Sequence, residues 1–195
     1  MLNTVYTIGH STDNIEQFIT NLNRVNDGNT FLVDVRSVPY SAHTPQFNKD
    51  LLKQSLKEIG VRYVHMGDEF GARRSEAEAY NDKNQVDFNK TEQLAMFQKG
   101  LQRVKKALSL SCNLILMCSE RNPLECHRFG LVARALSKQG ILVNHIIGNK
   151  IISQAEAESE LLVKYQSMID SLFASHDEQL DQAYEILNTN IGYKK

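Results

Sequence analysis

Short apolar runs alternate with segments of helical periodicity along most of this chain, and that alternation restricts its fold more than any other feature. Thr4 to Ile8 reads as a buried strand, followed by a Gly9-His10-Ser11 turn. Ile15, Phe18, Ile19 and Leu22 then recur at helical spacing, with Asp13 and Glu16 at capping-box positions and Asn26-Asp27-Gly28-Asn29 as the breaker. Phe31 to Val35 is the second strand. A polar loop from Arg36 to Phe47 carries Pro39 and Pro45, and Asn48 is placed to cap a helix bearing Leu51, Leu52, Leu56 and Ile59 that stops at Gly60. Val61 to His65 is the third strand. The charged, irregular stretch from Met66 to Asn89 has the length of a functional loop or an insertion. Leu94, Phe97, Leu101, Val104 and Leu108 mark a long amphipathic helix. Asn113 to Cys118 is apolar enough for a central parallel strand, a helix runs from about Pro123 to Gln139, and Ile141 to Ile147 is the fifth strand.

Repeated β-α-β units predict an α/β fold: an open, mostly parallel, doubly wound sheet of about five strands with helices on both faces. Residues 1–150 account for that domain. Residues 151–195 read as a C-terminal extension of two helices, since Ser153 with Glu156, and Ser175 with Glu178, have capping-box spacing.

Composition narrows the function classes. Of 195 residues, 42% are hydrophobic, enough for a sizeable core. Twenty-two basic against 23 acidic residues leave a net charge of -1, which gives no support to a general nucleic-acid-coating role. Three cysteines, an odd number, argue against a disulfide framework and for a reducing compartment. Met1 to Val5 leads into a strand without a basic segment and apolar run, and no apolar stretch reaches the roughly 18 residues of a membrane span. The expectation is a cytoplasmic protein away from the membrane.

Ligands of open parallel sheets bind beyond the carboxyl ends of the strands. The first strand is followed by His10 and Ser11, the second by Asp34, Arg36 and Ser37, the third by His65, Asp68, Glu69, Arg73 and Arg74. The fourth is followed by Cys118, Glu120, Arg121, Cys126, His127 and Arg128. In that last segment Asn122 suits an N-cap, Pro123 the first helical position and Glu125 a capping-box acid, so Cys118 is expected beside a helix N-terminus whose free amides attract anions and lower a thiol's pKa. Arg128 shares a helical stripe with Leu131, Val132 and Ala135 and should point inward, either to an anion or to Asp34 or Glu120. Cys118, Cys126, His127, His10 and His65 are soft metal donors. No Cys-x-x-Cys pair is present, and the Cys118 to Cys126 spacing fits no structural zinc pattern, so the reading assigns neither metal nor cofactor. His145, inside an alternating strand, reads as a hydrogen-bonded core residue.

Thr7-Ile8-Gly9-His10-Ser11, Asp34-Val35-Arg36 with Pro39, Phe47, the Glu69-Phe70-Gly71-Ala72-Arg73 turn, and Cys118-x-Glu120 with Cys126-His127-Arg128 together resemble the family called Domain of Unknown Function 488. The resemblance spans Thr7 to about Gly148 and implies a shared site without naming an activity. Phe31 to Arg36 and Leu114 to Gly148 are also similar to the frame of rhodanese and Cdc25-type phosphatase domains, in which a Cys-headed loop wraps an anionic substrate.

The leading expectation is an enzyme acting on a small anionic substrate, such as a phosphorylated nucleotide or a sulfur donor. Cys118 is the candidate nucleophile, His127, His10 and Glu120 the candidate acids or bases, and Ser11, Arg36, Arg73, Arg128 and Asp34 the candidate anion-site residues. The alternatives are a non-catalytic nucleotide- or nucleic-acid-binding module and a metal-dependent nucleotide or nucleic-acid enzyme.

Overall fold

In the computed structural model, residues 4–169 and 173–195 are described; Met1 to Asn3, part of the stretch read above as leading into the first strand, lie outside them. Six strands form one sheet in the order β3-β2-β4-β1-β5-β6. They are β1 (Thr4–Gly9), β2 (Thr30–Asp34), β3 (Arg62–His65), β4 (Asn113–Cys118), β5 (Leu142–Ile147) and β6 (Lys150–Ser153). The first five pair in parallel, as the β-α-β pattern requires. The sixth is an addition to the expected five: it turns back on β5 through Gly148 and pairs antiparallel with it. So short and half-exposed an edge strand carries little apolar signal, and its hydrogen-bond partners lie on β5.

Both faces of the sheet are covered. Ile8, Leu32, Ile115 and Met117 pack with Phe18 and Leu22 of α1 (Ile15–Asn23) and Leu52 and Leu56 of α2 (Lys49–Glu58). The alternate residues Val33, Val35, Leu114 and Leu116 turn to the other face. They meet α3 (Gly67–Phe70), α4 (Phe88–Glu92) and α5 (Ala95–Ser109) there. This period-two division explains why the central strands are apolar throughout.

Two local expectations are corrected. Asn14, not Asp13, caps α1, its side chain accepting from the Gln17 amide at 2.8 Å, while Asp13 is buried and paired with Arg121. The helix expected from Pro123 to Gln139 is broken. A 3-10 turn at Pro123–Glu125 is followed by extended backbone at Cys126 (φ -136°, ψ 137°), a π-helical segment at Arg128–Ala133, and only then α6 (Arg134–Ser137). Cys126, His127 and Arg128 are all buried. Three successive residues of a regular helix fan over roughly 200° and cannot all face one sheet edge, so the backbone leaves helical geometry to place them.

The C-terminal helices α7 (Gln154–Tyr165) and α8 (His176–Ile191) begin with the expected capping boxes and pack on each other and on Leu124 and Phe129. Beyond α8 the chain returns to the irregular stretch before α4. The Val86 amide bonds to the Tyr193 carbonyl at 2.8 Å, and the Gln85 amide group donates to the carbonyls of Thr189 and Gly192, both at 2.9 Å. No helix among the described residues is long and apolar enough to cross a membrane.

Candidate functional site

The central strand β4 has β1 on one side and β2 on the other. The helices that follow β1 and β2 cover one face, and the segment that follows β4 packs on the opposite face. Chain directions therefore diverge on both sides of the β4 carboxyl end, which opens a crevice there. The loops at its floor are stitched together: His10 N to Cys118 O at 3.0 Å, Ser11 N to Ser119 O at 2.6 Å, and Val35 N to Met117 O at 3.0 Å. A Cβ on Gly9 would overlap the Glu120 carbonyl, so only glycine permits this approach of β1 to the β4 loop.

Arg36 stands at the centre of the crevice. Its Nε and Nη2 clasp Asp34 at 2.9 and 2.7 Å, Nη2 also donates to the Phe47 carbonyl at 2.8 Å, and Nη1 meets His10 Nε2 at 3.2 Å. Asp34 is wholly buried and also accepts from the Tyr63 hydroxyl at 2.7 Å. Burial works against the Arg36 charge, but the Asp34 bond and charge outweigh it and raise the arginine's pKa. His10 stacks on Phe47 with ring centres 4.3 Å apart, and its Nδ1 donates to the Ser11 carbonyl at 2.9 Å. Burial drives its pKa down to about 4, so the ring is neutral and Nε2 accepts from Arg36. Of the guanidinium's five N–H groups, four are thus engaged and one on Nη1 remains.

Beside Arg36 lies a cluster of Cys118, Cys126 and His127, whose candidate ligand atoms all fall within 4.8 Å of one another. His127 Nδ1 is 3.7 Å from Cys118 Sγ and 3.9 Å from Cys126 Sγ, and its Nε2 faces the Val35 carbonyl at 3.2 Å. The carbonyl fixes the proton on Nε2 and turns Nδ1 to the sulfurs. The hydrogen bond with Cys126, then burial, raises the Cys118 pKa well above the usual thiol range. Burial opposes ionisation of Cys126, yet the Cys118 bond, Arg128 and His127 outweigh it and lower that thiol well below the usual range. His127 is raised because the Cys126 interaction exceeds the effect of burial. Glu120 reaches Cys118 Sγ at 3.3 Å, and desolvation followed by the charge of Cys126 raises its carboxyl.

Arg128 is fully buried and holds the loop together. Its Nη1 and Nη2 donate to the carbonyls of Glu120 at 2.5 Å and Arg121 at 2.9 Å, and Nε approaches Thr7 Oγ1 at 3.4 Å. The loop therefore turns these two carbonyls toward Arg128, where the sequence suggests amides turned toward an anion.

Above the floor, the crevice is a cleft of two lobes, both open to solvent. Cys118, His127 and Arg73 line one lobe, and His10 and Ser11 line the other. Arg36, Ser119 and Glu120 border both. Arg73 is exposed, its guanidinium 5.1 Å from the Tyr193 ring centre. The structure thus gathers His10, Ser11, Arg36, Arg73, Cys118, Glu120 and His127 at one cleft, while Asp34 lies beneath Arg36 and Arg128 behind the loop. His65 is not at the cluster; its Nε2 bonds to the Arg36 carbonyl at 2.9 Å. Cys112 lies at the opposite end of β4. Tyr63, which supports Asp34, and the C-terminal residues Ile191 and Tyr193, which wall the cleft, escaped the sequence reading. Only the strand alternation of Tyr63 hinted at its direction. Nothing local marks a C-terminal residue as a cleft wall.

A mostly parallel α/β domain with a Cys/His cluster beyond the carboxyl end of its central strand is the class that this fold and site define. Within that class, the chain belongs to the family described as "Domain of unknown function DUF488", which matches residues 14–135. The matched stretch contains Asp34 to Arg36 and Cys118 to Arg128; the Thr7 to Ser11 motif lies just before it. No curated protein matches the chain.

Proposed function

We propose that the protein is an enzyme acting on a small phosphorylated or sulfur-containing anion bound in the two-lobed cleft, with its chemistry delivered from the Cys118, Cys126 and His127 cluster. The observation that carries this reading is Arg36. An arginine held rigid by Asp34, Phe47 and His10, with one N–H still to give, stands beside Cys118 and borders both lobes. Asp34, Tyr63 and His10 position it, so little entropy is lost when it grips an anion. Arg73 supplies a second, exposed charge at the rim, Ser11 a hydroxyl, and Glu120 a carboxyl placed to carry a proton to or from the cluster. Three free thiols suit a reducing compartment, and we assign the protein to the cytoplasm on that ground.

Calorimetric titration with inorganic phosphate and with sulfate tests the anion site. Binding should weaken by about tenfold or more in Arg36→Gln, the equivalent of one charged hydrogen bond, and by less in Arg73→Gln. Absence of binding to the parent protein would sink the reading. Turnover of phosphate monoesters or thiosulfate should be lost in Cys118→Ser while anion binding persists. Anion binding with no turnover of any such compound by the parent would make the domain a non-catalytic binding module instead.

A further inference from the structure

We propose that Cys118, Cys126 and His127 are the three protein ligands of a site for a borderline-soft divalent cation of the zinc class, with a fourth position open to the cleft. The inference rests on the substrate reading above only for the role of that fourth position; the cation site stands on its own geometry.

Spacing along the chain argues against a metal, but spacing rules assume a regular backbone between ligands. Here the extended residue Cys126 interrupts the helix and brings its sulfur back to Cys118. A tetrahedral ion with metal–sulfur bonds near 2.3 Å and a metal–nitrogen bond of about 2.0–2.1 Å holds sulfur and nitrogen about 3.6 Å apart. The two sulfur-to-Nδ1 distances are 3.7 and 3.9 Å. His127 is also held as a metal-binding histidine is: Nε2 gives its proton to the Val35 carbonyl, and Nδ1 is left facing the sulfurs. Two thiolates and an imidazole select zinc-like ions over magnesium or calcium.

The surrounding charges favour a dication. Two thiolates and the Glu120 carboxylate would carry three negative charges beside the one buried positive charge of Arg128, while the Arg36 charge is balanced by Asp34 and Arg73 stands exposed at the rim. A dication leaves the group neutral, as a buried cluster requires. Cys118 and His127 border the cleft and Cys126 lies behind them, so the uncovered side of the three donors faces Arg36 and Glu120. Three protein ligands plus an open position is the arrangement of a catalytic rather than a structural zinc site.

The test is titration of metal-free, reduced protein with cobalt(II) alone, followed by absorption. One cobalt per chain should bind, with a thiolate charge-transfer band and the d–d bands of tetrahedral geometry. Cys118→Ser, Cys126→Ser and His127→Gln should each weaken binding by more than the roughly 10–100-fold that loss of an outer-shell partner costs, and Cys112→Ser should not. Should a ligand variant fail to fold, the parent alone decides: zinc(II) should raise its melting temperature, and native mass spectrometry should find one ion per chain. No cobalt band with no zinc-induced rise, or a band that depends on Cys112, overturns the proposal. Phosphate added to the cobalt protein should perturb the d–d bands through the open position. A cobalt site in a protein that binds no phosphate upholds the cation site and refutes the cleft reading; phosphate binding without cobalt binding does the reverse.

Discussion

Two buried polar groups adjoin Arg128, and they are built on opposite principles. One is a closed chain: Arg128 Nε donates to Thr7 Oγ1, Thr7 to His145 Nδ1 at 2.8 Å, and His145 Nε2 to Gln154 Oε1 at 2.8 Å. Gln154 then donates to the Tyr184 hydroxyl at 2.7 Å and to Glu158 at 3.0 Å. Every ring nitrogen has a partner, and the chain ties β1 and β5 to both C-terminal helices. The other group, Cys118, Cys126 and His127, is open. Its three candidate ligand atoms lie within 4.8 Å of one another, and two of its three members face the cleft. A buried network whose members are all satisfied gives stability and a unique fold. One whose soft donor atoms gather within 4.8 Å beside a cleft is poised for something from outside.

The comparison can be broken or sharpened by substitution. The largest effect is expected from Arg128→Met, which strands the carbonyls of Glu120 and Arg121 together with Thr7 Oγ1. The loss should be roughly 3–5 kcal/mol. That corresponds to a fall in melting temperature of roughly 6–20 °C for a chain of this size. A fall under about 3 °C would remove Arg128 from the closed chain.

The next effect is one of pH. Burial holds His145 at a pKa of about 4 against the ordinary 6.5, so below pH 6.5 the unfolded chain takes up a proton that the folded chain refuses. Stability from this residue is complete above pH 6.5, declines as the pH falls toward 4, and is level below that. Its size is at most about 3 kcal/mol. Urea unfolding from pH 4 to 8 should show the parent losing more stability on acidification than His145→Gln; parallel profiles would contradict the closed chain.

Tyr184→Phe removes one hydroxyl from the far end of that chain and should cost about 1 kcal/mol. It should leave phosphate affinity at the cleft unchanged, and a loss of affinity would mean that the two groups are coupled through Arg128. The smallest effect is expected from Cys118→Ala in metal-free protein, about 1 kcal/mol or less, because the open group contributes little without an ion. A thermal melt decides it. Loss of several kcal/mol there would show the cysteines to be core packing and erase the contrast.

By itself the sequence determined the parallel α/β frame and the end of the sheet at which chemistry collects. Apolar runs such as Leu114 to Met117 and the stripe Phe97, Leu101 and Val104 are local signals, and the strand-end rule carries them to His10, Arg36 and Cys118 without further information. Tertiary structure alone decided what each of those side chains does. Arg36 is bound to Asp34 of its own strand end and to His10 beyond β1, and Arg128 turned from an anion to two carbonyls because the loop closed over it. Cys126 came to Cys118 through a break in a helix that its own neighbours, Asn122, Pro123 and Glu125, announce as regular. Helix propensity is read over a few residues at a time. The burial of three consecutive polar side chains against one sheet edge is settled by contacts from β1, β2 and β4, and that competition outweighed the local preference.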